Sequence, residues 1–413
     1  MVKPLEGLKV IDLSTFLATP TTGRVLGEWG ADVIKIESSK GDPGRVNQAV
    51  TFGMTASDDE NLGFDMSNMH KRFISLNLKS ETGCEVMERL LADADIFITN
   101  MRTKSLAKMG LDWESLHKRF PRLIVGHGLG YGKKGSEKDK AGFDVTCYMG
   151  RGGVFGTTVN KGDAPMIPTN GYGDFQASMF LASGLLAAVI GREKTGKGDY
   201  VTCALQHAAI YALSTGIVSA QYGNPYPKSR REVNNPLNNV FRSKDDQWVV
   251  LCLPEYDRDW PRVMDMIGRS ELAKHPKYAV CQTVNDEKLA GEVTEILDDG
   301  FLQFTRDELL RMFSENDMPC EPAQTPLDIY EDENALVNEY IKQVSYPNGE
   351  RWCPTAPAQF EIMETRSLEP TGKLGSATID VMRELGYSKK QIDAALADGC
   401  VSDAIDLTTL QRR

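Results

Sequence analysis

A chain of 413 residues with a formal net charge of −11 is long enough to bury a large core and to divide into two domains. The acidic balance argues against a nucleic-acid partner, because such binding depends on basic surface. The opening residues lack the apolar core of a signal peptide and no apolar run reaches transmembrane length, so we expect a cytoplasmic protein without a membrane partner. Eight widely spaced cysteines without a CxxC pair predict free thiols and no metal site.

The first half of the chain alternates strand and helix signals. Strands are predicted at residues 8–13, 31–37, 72–78, 96–99 and 123–125, and helices at residues 21–29, 81–94 and parts of 106–120. Two Gly-rich stretches, residues 38–70 and 126–156, predict irregular excursions. The alternation is typical of an α/β fold, here a Rossmann-like large domain with a parallel sheet.

The pattern changes after a segment rich in Pro, Asn and Arg at residues 223–239. A strand at 247–252 and helices near 257–267, 286–297 and 306–315 predict a smaller α+β domain. The domains are predicted as residues 1–224, the first part of the large domain, 225–325, the small domain, and 326–413, which return to the large domain. Two amphipathic segments near the C-terminus, 377–385 and 389–397, predict helices.

Asp174 stands behind Gly171 and Gly173, at the start of an apolar segment over residues 177–191 that predicts a buried helix. An Asp at a helix start is most often a cap, which stabilises by about 1 kcal/mol. The glycines leave room for a ligand, and their N–H groups could stabilise an oxyanion. The helix N-terminus favours an ionised, nucleophilic carboxylate. From the residues alone, cap and nucleophile both remain open.

Other catalytic signatures are missing from the sequence. Residues 14–20, which follow the first strand, contain no GxGxxG, which argues against a nicotinamide cofactor. No HxxxH, HExxH or GxSxG pattern occurs, so zinc and serine-hydrolase chemistry are disfavoured. Basic residues cluster at 71–72, at 102–108 and at 133–134, where they could hold phosphates, although solvated surface is the commoner role.

Several motifs together resemble the family III CoA-transferases, the carnitine and formyl-CoA transferase group. They lie at residues 8–13, 30–37, 70–79, 98–102, 141–144, 173–174, 195–198 and 381–387. The likeness covers essentially the whole chain. Within the family, residues 171–184 and 244–246 are most similar to the phenyllactate and 2-hydroxyisocaproate type of fermenting anaerobes.

The resemblance implies that Asp174 is a nucleophile that attacks an acyl-CoA thioester and forms an aspartyl anhydride, then an aspartyl-CoA thioester. CoA would pass from an enoyl-CoA or acyl-CoA to a 2-hydroxy carboxylate, an aryl-lactate or 2-hydroxyisocaproate. The CoA thioester would be a substrate, with no permanently bound cofactor. The resemblance also implies an interlocked homodimer.

The candidate binding residues fall into two groups, of which the resemblance implies the first and the side-chain types suggest the second. CoA would lie along Leu76, Asn77, Leu78, Lys79, Asn100, Met101, Arg102, Lys108, Gly130 and Tyr131. Side chains that could form an acyl pocket are Phe16, Leu17, Phe143, Tyr148 and Phe155.

Two alternatives use the same residues differently. An α-methylacyl-CoA racemase would keep the Asp and add a His at the position of Phe143, because racemisation needs a second acid–base group. Phe143 therefore favours CoA transfer. A non-catalytic CoA-binding protein is the other alternative, and the intact Asp174 behind two glycines argues against it.

Overall fold

The computed structural model describes residues 2–411, and the chain divides into two compact units. The first comprises the chain up to Val154, Ile167–Ser214 and the chain from Glu333 onward. The second comprises Phe155–Met166 and Thr215–Asp332. The small-domain boundaries predicted from the sequence, 225 and 325, lie within the longer segment of the second unit.

The elements follow one another in the chain as strands β1–β12 and helices α1–α17. The strands are β1 Lys9–Leu13, β2 Asp32–Glu37, β3 Lys71–Leu76, β4 Ile96–Thr99, β5 Ile124–Leu129, β6 Tyr200–Ala204, β7 Asn238–Arg242, β8 Trp248–Cys252, β9 Cys320–Pro322, β10 Ile341–Tyr346, β11 Gly349–Pro354 and β12 Val401–Ser402. The helices are α1 Ala18–Glu28, α2 Gly44–Thr51, α3 Leu62–Asn68, α4 Glu81–Ala92, α5 Thr103–Lys108, α6 Trp113–Arg119, α7 Tyr172–Thr195, α8 Leu205–Ala212, α9 Ser214–Ala220, α10 Tyr256–Met266, α11 Cys281–Asp286, α12 Ala290–Phe301, α13 Arg306–Glu315, α14 Glu333–Val337, α15 Thr378–Glu384, α16 Lys389–Ala397 and α17 Leu407–Gln411.

A seven-stranded sheet organises the first unit, in the order β12-β3-β2-β1-β4-β5-β6. All neighbours are parallel except β12, which pairs with β3 in the antiparallel sense. Successive residues point to opposite faces: Val10 and Val33 belong to one buried cluster, and Ile11 and Ile34 to the other. Because both faces are buried, the strands read as continuous apolar runs. The predicted Rossmann-like parallel sheet is confirmed.

Helix α7 is longer than predicted and is buried on one face only. Ala177, Leu181 and Leu185 are buried, whereas the side chains of Phe180 and Ile190 are 37% and 64% exposed. The prediction of a helix buried on all sides is therefore wrong for the single chain. Within residues 2–411, α7 is the one helix whose length and apolarity would suffice to cross a bilayer, a test that core helices also pass.

The stretch 38–70, predicted as irregular, contains the two short helices α2 and α3. The Arg45 side chain in α2 pairs with Glu37 on β2, with Nε 2.8 Å from Oε1. Its guanidinium also lies over the rings of Phe64 and Phe73, at 4.2 and 4.6 Å. These tertiary contacts stabilise helices that local composition does not favour.

The second stretch predicted as irregular, residues 126–156, also contains regular structure. It includes the end of β5 and a π-helix at Val145–Arg151.

The second unit has its own sheet and core. Strands β7, β8 and β9 form an antiparallel sheet, and helices α10, α12 and α13 contribute to the same apolar cluster. Phe241, Trp260, Phe301 and Phe313 are fully buried in that cluster. This unit is the α+β part of the fold.

Candidate active site

A concave site of the first unit lies at the carboxyl ends of the parallel strands. Residues 15–19 follow β1, residues 100–102 follow β4, and Gly130 follows β5, and all of them line one cavity of about 270 Å³. The strand order reverses at β1, which has β2 on one side and β4 on the other. A crevice opens at such a point because the connections after the two strands run to opposite faces of the sheet.

Asp174 lies in the wall of this cavity, as the third residue of α7. Gly171 occupies the N-cap position of the helix, with a backbone φ of 82° in the left-handed region. The Asp174 carboxylate accepts no hydrogen bond from any part of the chain between residues 2 and 411. The interpretation of Asp174 as a helix cap is therefore wrong, and its carboxylate is left facing the cavity.

Asp144 is the residue that caps α7. Its Oδ1 accepts a hydrogen bond from the Gly173 N–H at 3.0 Å. Burial raises the pKa of the Asp144 carboxyl, and the neighbouring backbone N–H groups of Gly173, Gly171 and Tyr172 partly oppose this rise. The Gly173 N–H is therefore committed to Asp144 and is not free to stabilise an oxyanion in this conformation, which corrects the predicted oxyanion role of Gly173. The oxyanion role of Gly171 stays a prediction.

The glycines have a packing role instead. A Cβ on Gly173 would lie 2.1 Å from Cγ of Tyr148, and a Cβ on Gly171 would lie 2.9 Å from Cδ1 of Leu17. Real Cβ atoms do not approach so closely, so these positions exclude a side chain. The glycines let the start of α7 settle between the Tyr148 ring and the residues after β1.

The electrostatics of Asp174 differ from the expectation that the helix N-terminus keeps it ionised. Burial, and to a lesser extent the nearby negative charge of Asp144, together raise the pKa of Asp174 to about 7. Desolvation and a like charge therefore outweigh the favourable field of the helix. The nucleophilic, ionised form predominates only above neutral pH.

Four of the residues implied to bind CoA line the cavity together with Asp174: Asn100, Met101, Arg102 and Gly130. Asn100 is held in place by Thr15, whose N–H donates to Oδ1 at 3.0 Å and whose carbonyl accepts from Nδ2 at 2.7 Å. The exposed Arg102 side chain makes no ion pair within residues 2–411, so its guanidinium is available to an anionic group.

The other six implied CoA residues lie outside the cavity lining. Leu76, Asn77, Leu78 and Lys79 follow the end of β3, two strands away from β1, and the Asn77 N–H donates to the Cys400 carbonyl. Lys108 ends α5 and is exposed. The Tyr131 ring has the cations of Lys140 and Arg151 at 5.0 and 5.4 Å from its centroid. Residues 76–79 and Tyr131 lie at or just after the carboxyl ends of β3 and β5, and none of the six lines the cavity with Asp174.

The residues predicted for the acyl pocket divide in the same way. Phe16, Leu17 and Phe143 line the cavity, and the rings of Phe16 and Phe143 meet edge to face with centroids 5.4 Å apart. Tyr148 is buried beneath Gly173, and its hydroxyl donates to Oε1 of Gln176 at 2.8 Å. Tyr148 therefore supports α7 and does not form the pocket wall. Phe155 belongs to the second compact unit.

Several residues in or next to the cavity were not predicted from the sequence. Asp144 was seen only as part of a motif, because its contact with α7 spans 29 residues of chain. Lys138, Asp139 and Lys140 line the cavity, whereas the predicted pair at 133–134 does not. The proximity of 138–140 to the motif at 141–144 was the only sequence signal that pointed to them.

His127, which follows the predicted strand next to the site, has a structural role. His127 is buried, with Nδ1 2.8 Å from the Tyr200 hydroxyl and Nε2 2.8 Å from the Met101 carbonyl oxygen. The described lining of the cavity contains no histidine. What remains is a carboxylate without a partner, between an aromatic wall and a free guanidinium, an arrangement suited to attack on an acyl group carried by an anionic molecule.

Comparisons with known proteins agree with this picture. The model of CoA-transferase family III matches residues 5–378. Over 392 residues the chain is 41% identical to cinnamoyl-CoA:phenyllactate CoA-transferase of Clostridium sporogenes, which covers 94% of this chain and 95% of that protein. Over 391 residues it is 39% identical to (R)-2-hydroxy-4-methylpentanoate CoA-transferase of Clostridioides difficile, with 94% and 97% coverage. A CaiB/BaiF family protein from Brucella suis superimposes with a TM-score of 0.79, at 27% identity and 93% and 100% coverage.

Proposed function

The chain belongs to CoA-transferase family III and is a CoA-transferase, and on that premise we propose that it moves CoA from an enoyl-CoA or acyl-CoA to a 2-hydroxy carboxylate. An aryl-lactate or 2-hydroxyisocaproate is the acceptor we favour. Two relatives named for such acids support this choice, as does a cavity with two phenylalanine rings in its wall.

The observation that carries the proposal is the position of Asp174. Its carboxylate faces a cavity of about 270 Å³ and has no hydrogen-bond partner within residues 2–411. A desolvated carboxylate without a partner costs stability, and perturbed groups of this kind concentrate at functional sites. Arg102 and Lys138 supply positive charge at the same cavity for the phosphates of CoA.

The first half of the reaction loads CoA onto the enzyme. The ionised Asp174 carboxylate attacks the thioester carbonyl, the C–S bond breaks, and CoA leaves as a thiolate with an aspartyl anhydride remaining. The thiolate then attacks the aspartyl carbonyl and expels the donor acid as its carboxylate. The enzyme now holds an aspartyl-CoA thioester, and no net proton has been exchanged.

The second half repeats these steps with the acceptor acid. The 2-hydroxy carboxylate attacks the aspartyl thioester, which releases the thiolate and forms a new anhydride. Attack of the thiolate on the substrate carbonyl of that anhydride gives the product thioester and regenerates ionised Asp174. Carboxylate, anhydride and thioester interconvert without a metal or a redox step because each leaving group is also a competent nucleophile.

The two alternatives find less support. A racemase needs a second acid–base group opposite the first, and Phe143 occupies the position where a racemase would have a histidine. A non-catalytic CoA-binding protein would gain nothing from an unpaired, desolvated carboxylate. Exchange of the substrate α-hydrogen with solvent would indicate a racemase. A lack of turnover in the assay below would indicate a non-catalytic CoA-binding protein.

The cellular location, the oligomeric state and the small-molecule partners are proposed from the family resemblance. We propose a cytoplasmic homodimer with CoA thioesters and carboxylates as its only small-molecule partners and no permanently bound cofactor. The exposed Phe180 and Ile190 on α7 support a second chain as the cover of that face. Sedimentation of the purified protein at micromolar concentration should give the mass of a dimer. The mass of a monomer would contradict the proposed homodimer.

The experiment is a CoA-transfer assay across a panel of 2-hydroxy acids, with Asp174→Asn and Asp174→Ala beside the parent protein. Asp380 provides the matched control, because it is also the third residue of its helix, α15, but is exposed and paired with Arg383. We expect transfer to 2-hydroxy acids that is lost in both Asp174 variants and kept in Asp380→Asn. Unchanged turnover in Asp174→Ala would refute the mechanism.

A further inference from the structure

Phe16, in the wall of the cavity, has an unusual backbone conformation. Its φ is 64°, in the left-handed region, which a residue with a bulky side chain rarely adopts. Such a conformation persists only where surrounding contacts hold it. The question is what holds Phe16 there.

A hydrogen bond to the Asp42 carboxylate holds the Phe16 backbone. Oδ1 of Asp42 accepts a hydrogen bond from the Phe16 N–H at 3.2 Å and a second from the Gly44 N–H at 2.8 Å. Asp42 lies outside the cavity lining and is buried, so no substrate in the cavity would touch it.

Asp42 is itself fixed by a buried cation. Its Oδ2 lies 3.0 Å from Nζ of Lys35 on β2, and neither side chain is exposed. The same Nζ donates to the Ser14 carbonyl at 2.7 Å. One ion pair therefore pins the segment after β1 at two points, at Ser14 directly and at Phe16 through Asp42.

The ring of Phe16 projects from this pinned segment toward Phe143, with 5.4 Å between centroids. Both rings line the cavity that Asp174 faces. We propose that the buried Lys35–Asp42 pair is a positioning device, which holds Phe16 in its left-handed conformation and so sets the selectivity of the cavity for bulky over small acyl groups. This inference rests on the proposed function of the cavity.

The alternative is that Asp42 only stabilises the fold. A structural role would lower activity on every acyl group alike, whereas a positioning role acts through the Phe16 ring and changes the ratio between substrates. The readout is therefore the ratio of kcat/KM for an aryl-acyl donor, cinnamoyl-CoA, to that for a small donor, acetyl-CoA.

The test is a double-mutant cycle between Asp42→Asn and Phe16→Gly. Asparagine keeps an acceptor for the two N–H groups but loses the charge that pairs with Lys35. We expect Asp42→Asn to lower the ratio about tenfold and Phe16→Gly to lower it at least as much. In the Phe16→Gly background, Asp42→Asn should then change the ratio no further, because the ring through which it acts is gone.

One further variant, together with the single variant Phe16→Gly, keeps the proposal falsifiable if Asp42→Asn folds poorly. Lys35→Met with Asp42→Asn removes the pair without leaving one charge buried alone. Phe16→Gly alone leaves the pair intact and gives glycine a φ that it tolerates. Asp259→Asn is the control: Asp259 is equally buried and pairs with Arg258 and Arg262 in the second unit.

The outcomes separate this inference from the proposed function. An unchanged ratio in Phe16→Gly, an effect of Asp42→Asn that persists in the Phe16→Gly background, or an equal change in Asp259→Asn would overturn the positioning role. Transfer activity that survives Asp174→Ala would instead overturn the proposed function. A lowered ratio confined to the Asp42 and Phe16 variants, with turnover still dependent on Asp174, supports both.

Discussion

Two groups of carboxylates in the first unit have opposite surroundings. Asp12 on β1 pairs with Lys71 on β3 at 2.8 Å, and Asp42, after β2, pairs with Lys35 on β2 at 3.0 Å, with all four side chains fully buried. At the start of α7, Asp174 has no cation and has the like charge of Asp144 nearby. Paired carboxylates of this kind hold a structure in place, whereas the unpaired one keeps its reactivity at the expense of stability.

The largest effect expected from this contrast is on turnover. Replacing Asp174 with Asn or Ala removes the proposed nucleophile from the cavity wall. We therefore expect kcat to fall by about four orders of magnitude. Steady-state kinetics with saturating donor and acceptor measure it. A decrease of less than tenfold would make Asp174 a binding residue at most.

The paired carboxylates should instead affect stability. Lys71→Met leaves Asp12 buried without its cation, and we expect the free energy of unfolding to fall by about 3 kcal/mol. Urea denaturation measures the change. The double variant Lys71→Met with Asp12→Asn should recover part of the loss, because no uncompensated charge then remains buried.

The unpaired carboxylate should show the reverse effect. Burial raises the pKa of Asp174 from an ordinary value of 3.8 to about 7, so the folded state binds more protons than the unfolded state between those values. Stability therefore falls as the pH rises from about 4 to about 7, and the full cost is present above pH 7. We expect Asp174→Asn to be more stable than the parent by about 2 kcal/mol at pH 8.

Thermal melts across this pH range test the assignment. At pH 4 the carboxyl is protonated in the folded state and about half protonated in the unfolded state, so little of the pH-dependent cost remains. The parent and Asp174→Asn should therefore melt at nearly the same temperature. An advantage of the variant that is as large at pH 4 as at pH 8 would mean that the ionised carboxylate is not its source.

The smallest expected effect is on the pH dependence of the reaction. The rate should rise as the pH passes through about 7, where Asp174 ionises. Asp144→Asn removes the neighbouring negative charge but keeps an acceptor for the Gly173 N–H, so it should shift this rise to lower pH. A profile of kcat against pH measures the shift, and a rise at the same pH as in the parent would show that the two carboxylates do not interact.

Local patterns predicted the elements of the sheet well. The predicted bounds of β4 and α16 agree with the structure, and the alternation of strands and helices correctly indicated a parallel sheet. Periodicity and end signals are local properties, so a single sequence carries them. The approximate position of the site followed from the two glycines before Asp174 together with the family resemblance, which implied a role for Arg102.

Contacts distant in sequence were the part that the sequence did not predict. The cap of α7 comes from Asp144, and the helix consequently starts at Tyr172 and leaves Asp174 without a hydrogen bond. Tyr148 was assigned to the pocket because its type suits one, but the close approach to Gly173 places it beneath the helix. No periodicity or spacing carries such information, since it depends on how two segments pack.

The most direct test of the central claim is to trap the covalent intermediate during turnover. Hydroxylamine added to the protein with an acyl-CoA donor attacks an activated carboxyl, and peptide mass spectrometry locates the hydroxamate. The mechanism predicts modification at Asp174 that depends on the donor and is missing in Asp174→Asn. Modification at another carboxylate, or turnover that hydroxylamine leaves unaffected, would contradict Asp174 as the nucleophile.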